Sequence, residues 1–159
     1  MIKINDTLKE VFAFGCVVVL IVGLPLAVFW YEKIYLPRAR YPKGSRIINL
    51  TAQAPEKGCL WTLDTISGFN YWWKKFKPAK EILVKEGEQV VFRVKSSDVL
   101  HSFSIPQFHI GPYEIEAGKV KEIEFIADKV GNFKYLCWFW CSNCHENLTG
   151  RVVVTAAEN

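Results

Sequence analysis

The chain has 159 residues, of which 50% are hydrophobic and 14% aromatic, a composition that excludes an intrinsically disordered protein. Its net charge of +4 arises in the first 46 residues, where seven Lys and Arg accompany three Asp and Glu, whereas residues 47–159 carry thirteen of each. A charge excess confined to one end suits a membrane surface and argues against a nucleic-acid-binding footprint.

A membrane anchor is predicted near the N-terminus. Residues 1–10 form a short polar tail, and the next 21 residues, Val11–Tyr31, contain no charged side chain. As a helix this run is long enough to cross a hydrocarbon layer of about 30 Å. A cleaved signal peptide is the competing interpretation. Signal peptides have a shorter apolar core that is followed by a small-residue cleavage site, and no such site follows this run. We therefore predict one uncleaved transmembrane helix, followed by a basic membrane-proximal linker over residues 32–46.

Apolar residues recur with a period of two from residue 47 onward, which is typical of β-strands. Seven or more short strands separated by Gly-, Ser- and Asp-containing turns indicate a β-sandwich or barrel, so residues 47–159 are predicted to form one all-β domain. The stretch Pro106–Pro112 is predicted to be an exposed loop in which His109 is solvated. The predicted strands are Ile47–Thr51, Leu60–Ile66, Glu81–Val84, Gln89–Lys95, Val120–Ile126, Phe133–Cys137 and Arg151–Thr155.

A dense group of metal-binding residue types lies in a loop between the last two predicted strands. Its members are Cys137, Cys141, Cys144 and His145. Thiolate and imidazole groups suit copper, zinc or an iron cofactor, and they do not suit Mg²⁺ or Ca²⁺. His101, which follows an earlier strand and turn, is placed to complete such a site. The spacing of the three thiols is typical of ligands, although a disulfide between Cys59 and Cys144 is an alternative.

Residues 81–154 resemble the cupredoxin domain of subunit II of the haem-copper oxygen reductases, the superfamily that includes cytochrome c oxidase. The matching pieces are Ser97-Asp98-Val99-Leu100-His101-Ser102-Phe103, the Cys137-x3-Cys141-x3-His145 loop and the closing Gly150-Arg-Val-Val-Val. One helix before the domain is more similar to the compact B-type enzymes than to the two-helix A-type. The resemblance implies an all-β, cupredoxin-like Greek-key sandwich or barrel after one N-terminal transmembrane helix.

The resemblance also implies a binuclear copper centre of the kind called CuA. The implied ligands are the bridging thiolates of Cys137 and Cys141, the imidazoles of His101 and His145, and the backbone carbonyl of Phe139. The family pattern has an axial Met three residues after the second His. This chain has Leu148 at that position, and an aliphatic side chain has no lone pair to donate.

By the same resemblance the chain is a non-catalytic electron-transfer subunit of a respiratory complex. It would accept electrons on the outer face of the cytoplasmic membrane from cytochrome c, a cupredoxin or a quinol-linked donor. It would pass them to a membrane-embedded haem-copper catalytic subunit that reduces oxygen or, in related complexes, nitric oxide. Electron uptake is expected at Trp72 or Trp73, for which packing in the β-domain is the alternative role.

Other centres are also compatible with the ligand loop. Cys141-Ser-Asn-Cys144-His145 is a C-x-x-C-H sequence, the signature of covalent haem c, and predicts a membrane-anchored cytochrome c as an alternative. Copper and haem would share Cys141 and His145, so the two centres exclude each other. A closed zinc site and a metal-free structural subunit are further alternatives. The presence of Cys137 and His101 in register favours copper, because haem attachment requires neither.

Overall fold

A computed structural model describes residues 6–35, 40–54, 58–64, 66, 73 and 75–157. The chain divides into two compact units, Met1–Lys43 and Gly44–Asn159. In the described residues the first unit is helical, and the second is built mainly from β-strands joined by loops and short 3-10 turns.

The helical unit contains the apolar run that was expected to cross a membrane. Its elements are α1 (Asp6–Val18), a π-helical turn (Val19–Gly23), α2 (Leu24–Trp30) and a second π-helical turn (Tyr31–Tyr35). The segment Thr7–Trp30 has 24 residues and a mean hydropathy of 2.8. Its side chains are exposed and apolar on most of its surface, as in a helix that is surrounded by lipid. By length and composition, this helix is able to cross a bilayer.

The β-unit is a sandwich of two sheets. Its described strands are β1 (Arg46–Gln53), β2 (Leu60–Thr62), β3 (Glu81–Lys85), β4 (Gln89–Ser96), β5 (His101–Ile105), β6 (Ile110–Ile115), β7 (Val120–Ile126), β8 (Gly131–Leu136) and β9 (Thr149–Thr155). One sheet has the order β2-β1-β4-β7 and the other β3-β9-β8-β5-β6. The pairs β1–β4 and β3–β9 are parallel. In each pair the chain passes through the other sheet between the two strands, as in Greek-key sandwiches.

The space between the sheets is filled by aromatic and branched side chains. The Trp61 ring packs edge-on against Phe103 and Tyr135, with centroids 5.6 and 6.2 Å apart, and lies 6.4 Å from the His101 ring. Gly150 in β9 is paired with Tyr135 in β8, and a Cβ at this glycine would overlap the tyrosine ring. The aromatic core therefore reaches directly from the sandwich interior to one of the predicted metal ligands.

The seven predicted strands are confirmed in place, with changes at their ends. The largest change is in Leu60–Ile66, where β2 ends at Thr62. The predicted loop Pro106–Pro112 is wrong in its second half, because a 3-10 turn over Pro106–Phe108 is followed by β6 from Ile110. His109 between them is exposed, as predicted.

Two strands are absent from the sequence prediction. In β5, Ser102 and Ser104 alternate with Phe103 and Ile105, a strand signal that the prediction overlooked, and all five residues are buried in the fold. Strand β6 contains Gly111-Pro112, a pair that sequence rules associate with turns. Tertiary pairing with β5 overrides that local preference.

Candidate metal centre

His101 opens β5 and its side chain is fully buried. Its Nε2 lies 2.9 Å from Oδ1 of Asp98, and the Asp98 carboxylate is itself held by the backbone N–H groups of Ala54 (2.5 Å) and Val99 (2.7 Å). The other ring nitrogen, Nδ1, is buried and has no hydrogen-bond partner among the described residues. Because Nε2 donates to the carboxylate, the Nδ1 lone pair of the neutral ring is left for a metal ion.

Cys137 follows the last residue of β8 and is 2% exposed. Its sulfur accepts a hydrogen bond from the Ser102 backbone N–H at 3.3 Å. The Ser102 hydroxyl in turn accepts hydrogen bonds from the N–H groups of Trp138 (2.7 Å) and Phe139 (3.0 Å). This arrangement folds the loop back, and the Phe139 carbonyl oxygen lies 3.4 Å from the Cys137 sulfur. The Phe139 carbonyl and the Cys137 sulfur, both implied metal ligands, therefore lie side by side.

Cys141 and His145 complete the cluster from the other side of the loop. The sulfurs of Cys137 and Cys141 are 4.0 Å apart, and the Cys141 sulfur lies 3.5 Å from Nδ1 of His145. His145 opens a 3-10 turn over His145–Asn147, which ends at the buried Leu148. The Leu148 carbonyl accepts from the Cys137 N–H at 3.0 Å and so closes the loop.

The geometry of the cluster fits a soft metal. One ring nitrogen of His101 and the sulfurs of Cys137 and Cys141 all lie within 4.8 Å of one another. With His145 the set offers two thiol sulfurs and two imidazole nitrogens, a donor set that favours copper or zinc over hard cations. The structure thus brings together all five implied donors from β5 and the β8–β9 loop.

In the metal-free site, neighbouring groups shift the pKa values of His101, Cys137 and Cys141. Burial lowers the pKa of His101, but the Asp98 carboxylate and the Cys137 sulfur outweigh burial and raise the pKa to about 9. Burial raises the pKa of Cys137, but the His101 ring and the Ser102 groups lower it to about 7. Burial and the neighbouring Cys137 sulfur raise the pKa of Cys141 to about 11. The metal-free site therefore favours a thiolate at Cys137 beside an imidazolium at His101.

The third thiol of the loop is removed from the predicted ligand group. The sulfur of Cys144 is bonded to that of Cys59, with their Cα atoms 5.5 Å apart. The expectation that Cys144 clusters with the other two thiols as a free cysteine is wrong, and the disulfide alternative is the one that forms. The described cysteines with free sulfurs are Cys137 and Cys141 in the loop, and Cys16 in the N-terminal helix.

Comparison with known proteins identifies the family. The sequence profile described as the periplasmic domain of cytochrome c oxidase subunit II matches residues 71–156, more than half of the chain. The chain belongs to this subunit II family. It is 30% identical over 73 residues to cytochrome c oxidase subunit 2 of Thermus thermophilus, covering 46% of this chain and 53% of that protein. It is also 30% identical over 82 residues to nitrous-oxide reductase of Stutzerimonas stutzeri, covering 49% of this chain and 13% of that protein.

Solved structures with the same fold include proteins of low sequence identity. A chain of a haem-copper terminal oxidase dimer aligns with a TM-score of 0.50 at 17% identity, covering 92% of this chain and 99% of that one. A copper nitrite reductase from Nitrosomonas europaea aligns with a TM-score of 0.50 at 19% identity, covering 70% and 42%. The subunit II chain spans about half the length of the Thermus relative that it matches. Its β-unit is a cupredoxin-like sandwich.

Exposed tryptophans stand in the ligand loop of this subunit II domain and also earlier in its chain. Trp138 and Trp140 are 59% and 73% exposed, and the Trp140 ring centroid lies 5.9 Å from that of His145. Of the two residues predicted to take up electrons, Trp73 is 66% exposed, which argues against its alternative role in the core. Trp72 lies outside the described residues.

Two functional contacts of the subunit II site are missing from the sequence prediction. Asp98 orients His101, and Ser102 holds both the Cys137 sulfur and the loop backbone. Asp98 stands three residues before β5 and Ser102 is its second residue, both within the matched motif, and the sequence prediction assigned neither a role. An acidic residue three positions before a candidate ligand His was the available signal, since metal-binding His residues commonly donate their second N–H to a carboxylate.

Proposed function

We propose that this chain binds a binuclear copper centre and accepts single electrons for a membrane-embedded haem-copper catalytic subunit. The observation that carries the proposal is the buried Nδ1 of His101, which lacks a hydrogen-bond partner among the described residues and belongs to a ring close to two free thiols. Membership of the subunit II family supports the electron-transfer role. The identity of the acceptor complex and its terminal substrate, oxygen or nitric oxide, are inferred from the resemblance alone.

Each residue of the site has a separate task in this proposal. The thiolates of Cys137 and Cys141 would bridge the two copper ions, His101 and His145 would bind one ion each, and Phe139 would offer its carbonyl oxygen. The bound copper pair supplies a one-electron redox centre. Leu148 stands at the sequence position of the family's Met, is 1% exposed and has no lone pair to offer an ion. The short thiolate and imidazole bonds supply most of the binding, so the loss of a weak thioether donor is tolerated.

The rival centres fit the site less well. Covalent haem c requires the thiol of Cys144, and that sulfur is bonded to Cys59. A closed zinc site has no use for the nearby Phe139 carbonyl, although its thiol and imidazole set is compatible with zinc. A metal-free structural subunit gives no reason to gather the buried His101 ring, two free thiols and His145 at one place.

Electron uptake is assigned to the exposed indole of Trp73 or to Trp72. The donor would be cytochrome c, a cupredoxin or a quinol-linked protein on the outer face of the cytoplasmic membrane. The helix Thr7–Trp30 would anchor the subunit in the bilayer beside its catalytic partner. The β-unit would then stand outside the cytoplasm, which agrees with the periplasmic location of the family domain.

Metal analysis of the full-length chain in detergent tests the proposal. The chain loaded with copper should hold about two copper ions and show thiolate-to-copper absorption in the visible range. Cys137→Ser should lose this absorption because it removes one bridging ligand. Cys16→Ser removes a free thiol outside the site and is the matched control, which should keep both the copper and the spectrum. Covalent haem on the chain, or an unchanged spectrum in Cys137→Ser, would contradict the proposal.

A further inference from the structure

The Cys59–Cys144 disulfide joins the start of β2 to the metal-ligand loop. The two residues are 85 positions apart in the sequence, and Cys59 is 5% exposed. The Cys59 N–H lies 3.2 Å from the Cys144 sulfur, and the Ser142 hydroxyl lies 2.7 Å from the Cys59 sulfur. The bridge is therefore built into a hydrogen-bonded junction between the loop and the sandwich, and Cys144 packs against the hydrophobic core.

This junction fixes the backbone on both sides of a ligand. The carbonyl of Ser142 accepts from the His145 N–H at 3.1 Å, and the carbonyl of Cys144 accepts from the Asn147 N–H at 3.0 Å. The His145 carbonyl accepts in turn from the Leu148 N–H at 3.0 Å. Anchoring Cys144 to Cys59 therefore holds the turn that presents the His145 ring to the Cys141 sulfur.

The same bond removes a competing ligand. Cys141 and Cys144 are separated by two residues, which is a spacing commonly used to chelate metal ions through two thiolates. With Cys144 free, the loop would contain three thiols, and a soft ion would have a choice of thiolate pairs. With Cys144 bonded to Cys59, the loop keeps one pair, Cys137 and Cys141.

We propose that the Cys59–Cys144 disulfide determines which residues of the loop bind metal, by withholding the Cys144 sulfur from the ion and positioning His145 beside Cys141. Cys59 and Cys144 are positioning residues and do not touch the metal. This inference rests on the proposed copper function. It is separable from that function, because a copper site at Cys137 and Cys141 does not in itself require the disulfide.

Three variants of the full-length chain in detergent separate ligand selection from simple cross-linking. Cys59→Ser frees the Cys144 thiol, Cys144→Ser frees the Cys59 thiol, and the double variant frees neither. All three lose the cross-link, so a purely structural bridge predicts equal losses of melting temperature and of copper binding. Ligand selection predicts that Cys59→Ser alone changes the ligand set, because its free Cys144 thiolate competes with Cys137 and Cys141 for copper. Its visible spectrum should then be shifted from that of the wild-type chain and from that of the double variant.

The readouts are the melting temperature of the metal-free chain, the copper content and the absorption spectrum, all measured under one loading protocol. Equal copper affinity and equal spectra in Cys59→Ser and the double variant would overturn the inference. Alkylation of the denatured, unreduced wild-type chain, followed by peptide mass analysis, tests the bond without a substitution. Cys59 and Cys144 should stay unmodified, and labelling of Cys144 would also overturn the inference.

The outcome for the wild-type chain separates the two proposals. If the wild-type chain binds no copper at all, the proposed function fails regardless of the disulfide. If the wild-type chain binds copper with the expected spectrum and Cys59→Ser matches the double variant, the proposed function stands and only the role of the disulfide in ligand selection is wrong.

Discussion

Asp98 and Ser102 prepare the ligands at the scale of single residues. The Asp98 carboxylate receives two backbone N–H groups and faces Nε2 of His101, so Nδ1 is the ring nitrogen that can bind an ion once its proton is lost. The Ser102 backbone N–H donates to the Cys137 sulfur, and the Ser102 hydroxyl accepts from the Trp138 N–H of the loop. The orientation of His101 and Cys137 is therefore fixed in the metal-free chain, which would lower the free-energy cost of ordering them if they bind the proposed ion.

Replacing Asp98 by Asn tests this orientation. The amide keeps the size of the side chain but loses the negative charge that favours the Nε2–H tautomer of His101. Copper affinity should fall by roughly 10- to 100-fold, as measured by competition with a chelator of known affinity. Asp128→Asn removes an exposed carboxylate that has no contact with the ligands and should leave the affinity unchanged. Equal affinities in the two variants would contradict the role of Asp98.

The pKa shifts predict that copper loading releases protons. Between pH 7 and 9 the metal-free site holds a proton on His101, whose pKa is about 9, and one on Cys141, whose pKa is about 11, while Cys137 has a pKa of about 7. Since the ligands must lose their protons, binding should release about two protons in this range and tighten as the pH rises. Above pH 9 the release should fall to about one, from Cys141.

Calorimetry in buffers of different ionisation enthalpy measures this proton release. An affinity that is constant or that falls between pH 7 and 9 would show that His101 and Cys141 are already deprotonated in the metal-free chain. The stability of the metal-free fold should depend little on pH in the same range. Because the pKa of His101 is raised in the fold, its contribution to the free energy of unfolding falls as the pH rises toward 9. Because the pKa of Cys137 is lowered, its contribution rises over the same range, so the two effects oppose each other.

The sequence was sufficient to propose candidate ligands but not the residues that support them. His101, Cys137, Cys141 and His145 were predicted from residue chemistry and from the family motif, and the structure brings them together. Asp98 contacts His101 from three positions away, a local spacing that could have been read, but its hydrogen bond from the Ala54 N–H spans 44 residues and could not. The pairing of Cys144 with Cys59 depends on how the ligand loop meets β2, a contact across 85 residues that thiol spacing does not encode.

At the scale of elements, β5 and the β8–β9 loop form the site together. Strand β5 is paired antiparallel with β8 at Ser104 and Leu136, so the start of β5 and the end of β8 lie at the same end of the sheet. His101 and Cys137 meet there. Period-two patterning predicted β8 and β9 because each has a polar face. The same pattern is present in β5, where Ser102 and Ser104 alternate with Phe103 and Ile105, but the prediction assigned no strand there.

The assignment of electron uptake to Trp72 or Trp73 gives a second prediction. Trp73→Leu or Trp72→Leu should slow reduction by the natural donor at least about tenfold, because a Trp anchor in an interface is often worth about 2 kcal/mol. The absorption spectrum of the centre should stay unchanged, and stopped-flow mixing measures the rate. Trp140→Leu is the matched comparison, since Trp140 is also exposed and its ring lies 5.9 Å from that of His145.

Two results would redirect this assignment. If both Trp72→Leu and Trp73→Leu keep the native rate of reduction, electrons enter elsewhere on the surface. A loss confined to Trp140→Leu would place uptake on the ligand loop, through the indole that neighbours His145.

At the scale of the whole molecule, the helical unit raises a question of orientation. Two Lys precede the predicted span and five Lys and Arg follow it up to residue 46, and by the positive-inside rule this distribution places the β-unit in the cytoplasm. The family domain is periplasmic. We expect the family location to prevail, because a single helix in a complex is also held by its partner subunit.

Protease treatment of right-side-out spheroplasts tests the orientation. The β-unit should be digested from outside, and a cytoplasmic protein should remain intact as the control for membrane integrity. A β-unit that is protected until the membrane is opened would place it in the cytoplasm. That result would contradict uptake of electrons from a donor on the outer face.

The central claim is that two copper ions share the thiolates of Cys137 and Cys141. Electron paramagnetic resonance of the copper-loaded full-length chain, in its oxidised form, measures this sharing directly. The proposed centre predicts hyperfine splitting from one unpaired electron distributed equally over two copper nuclei. Splitting by a single copper nucleus, or a spectrum of haem iron, would contradict the binuclear copper centre.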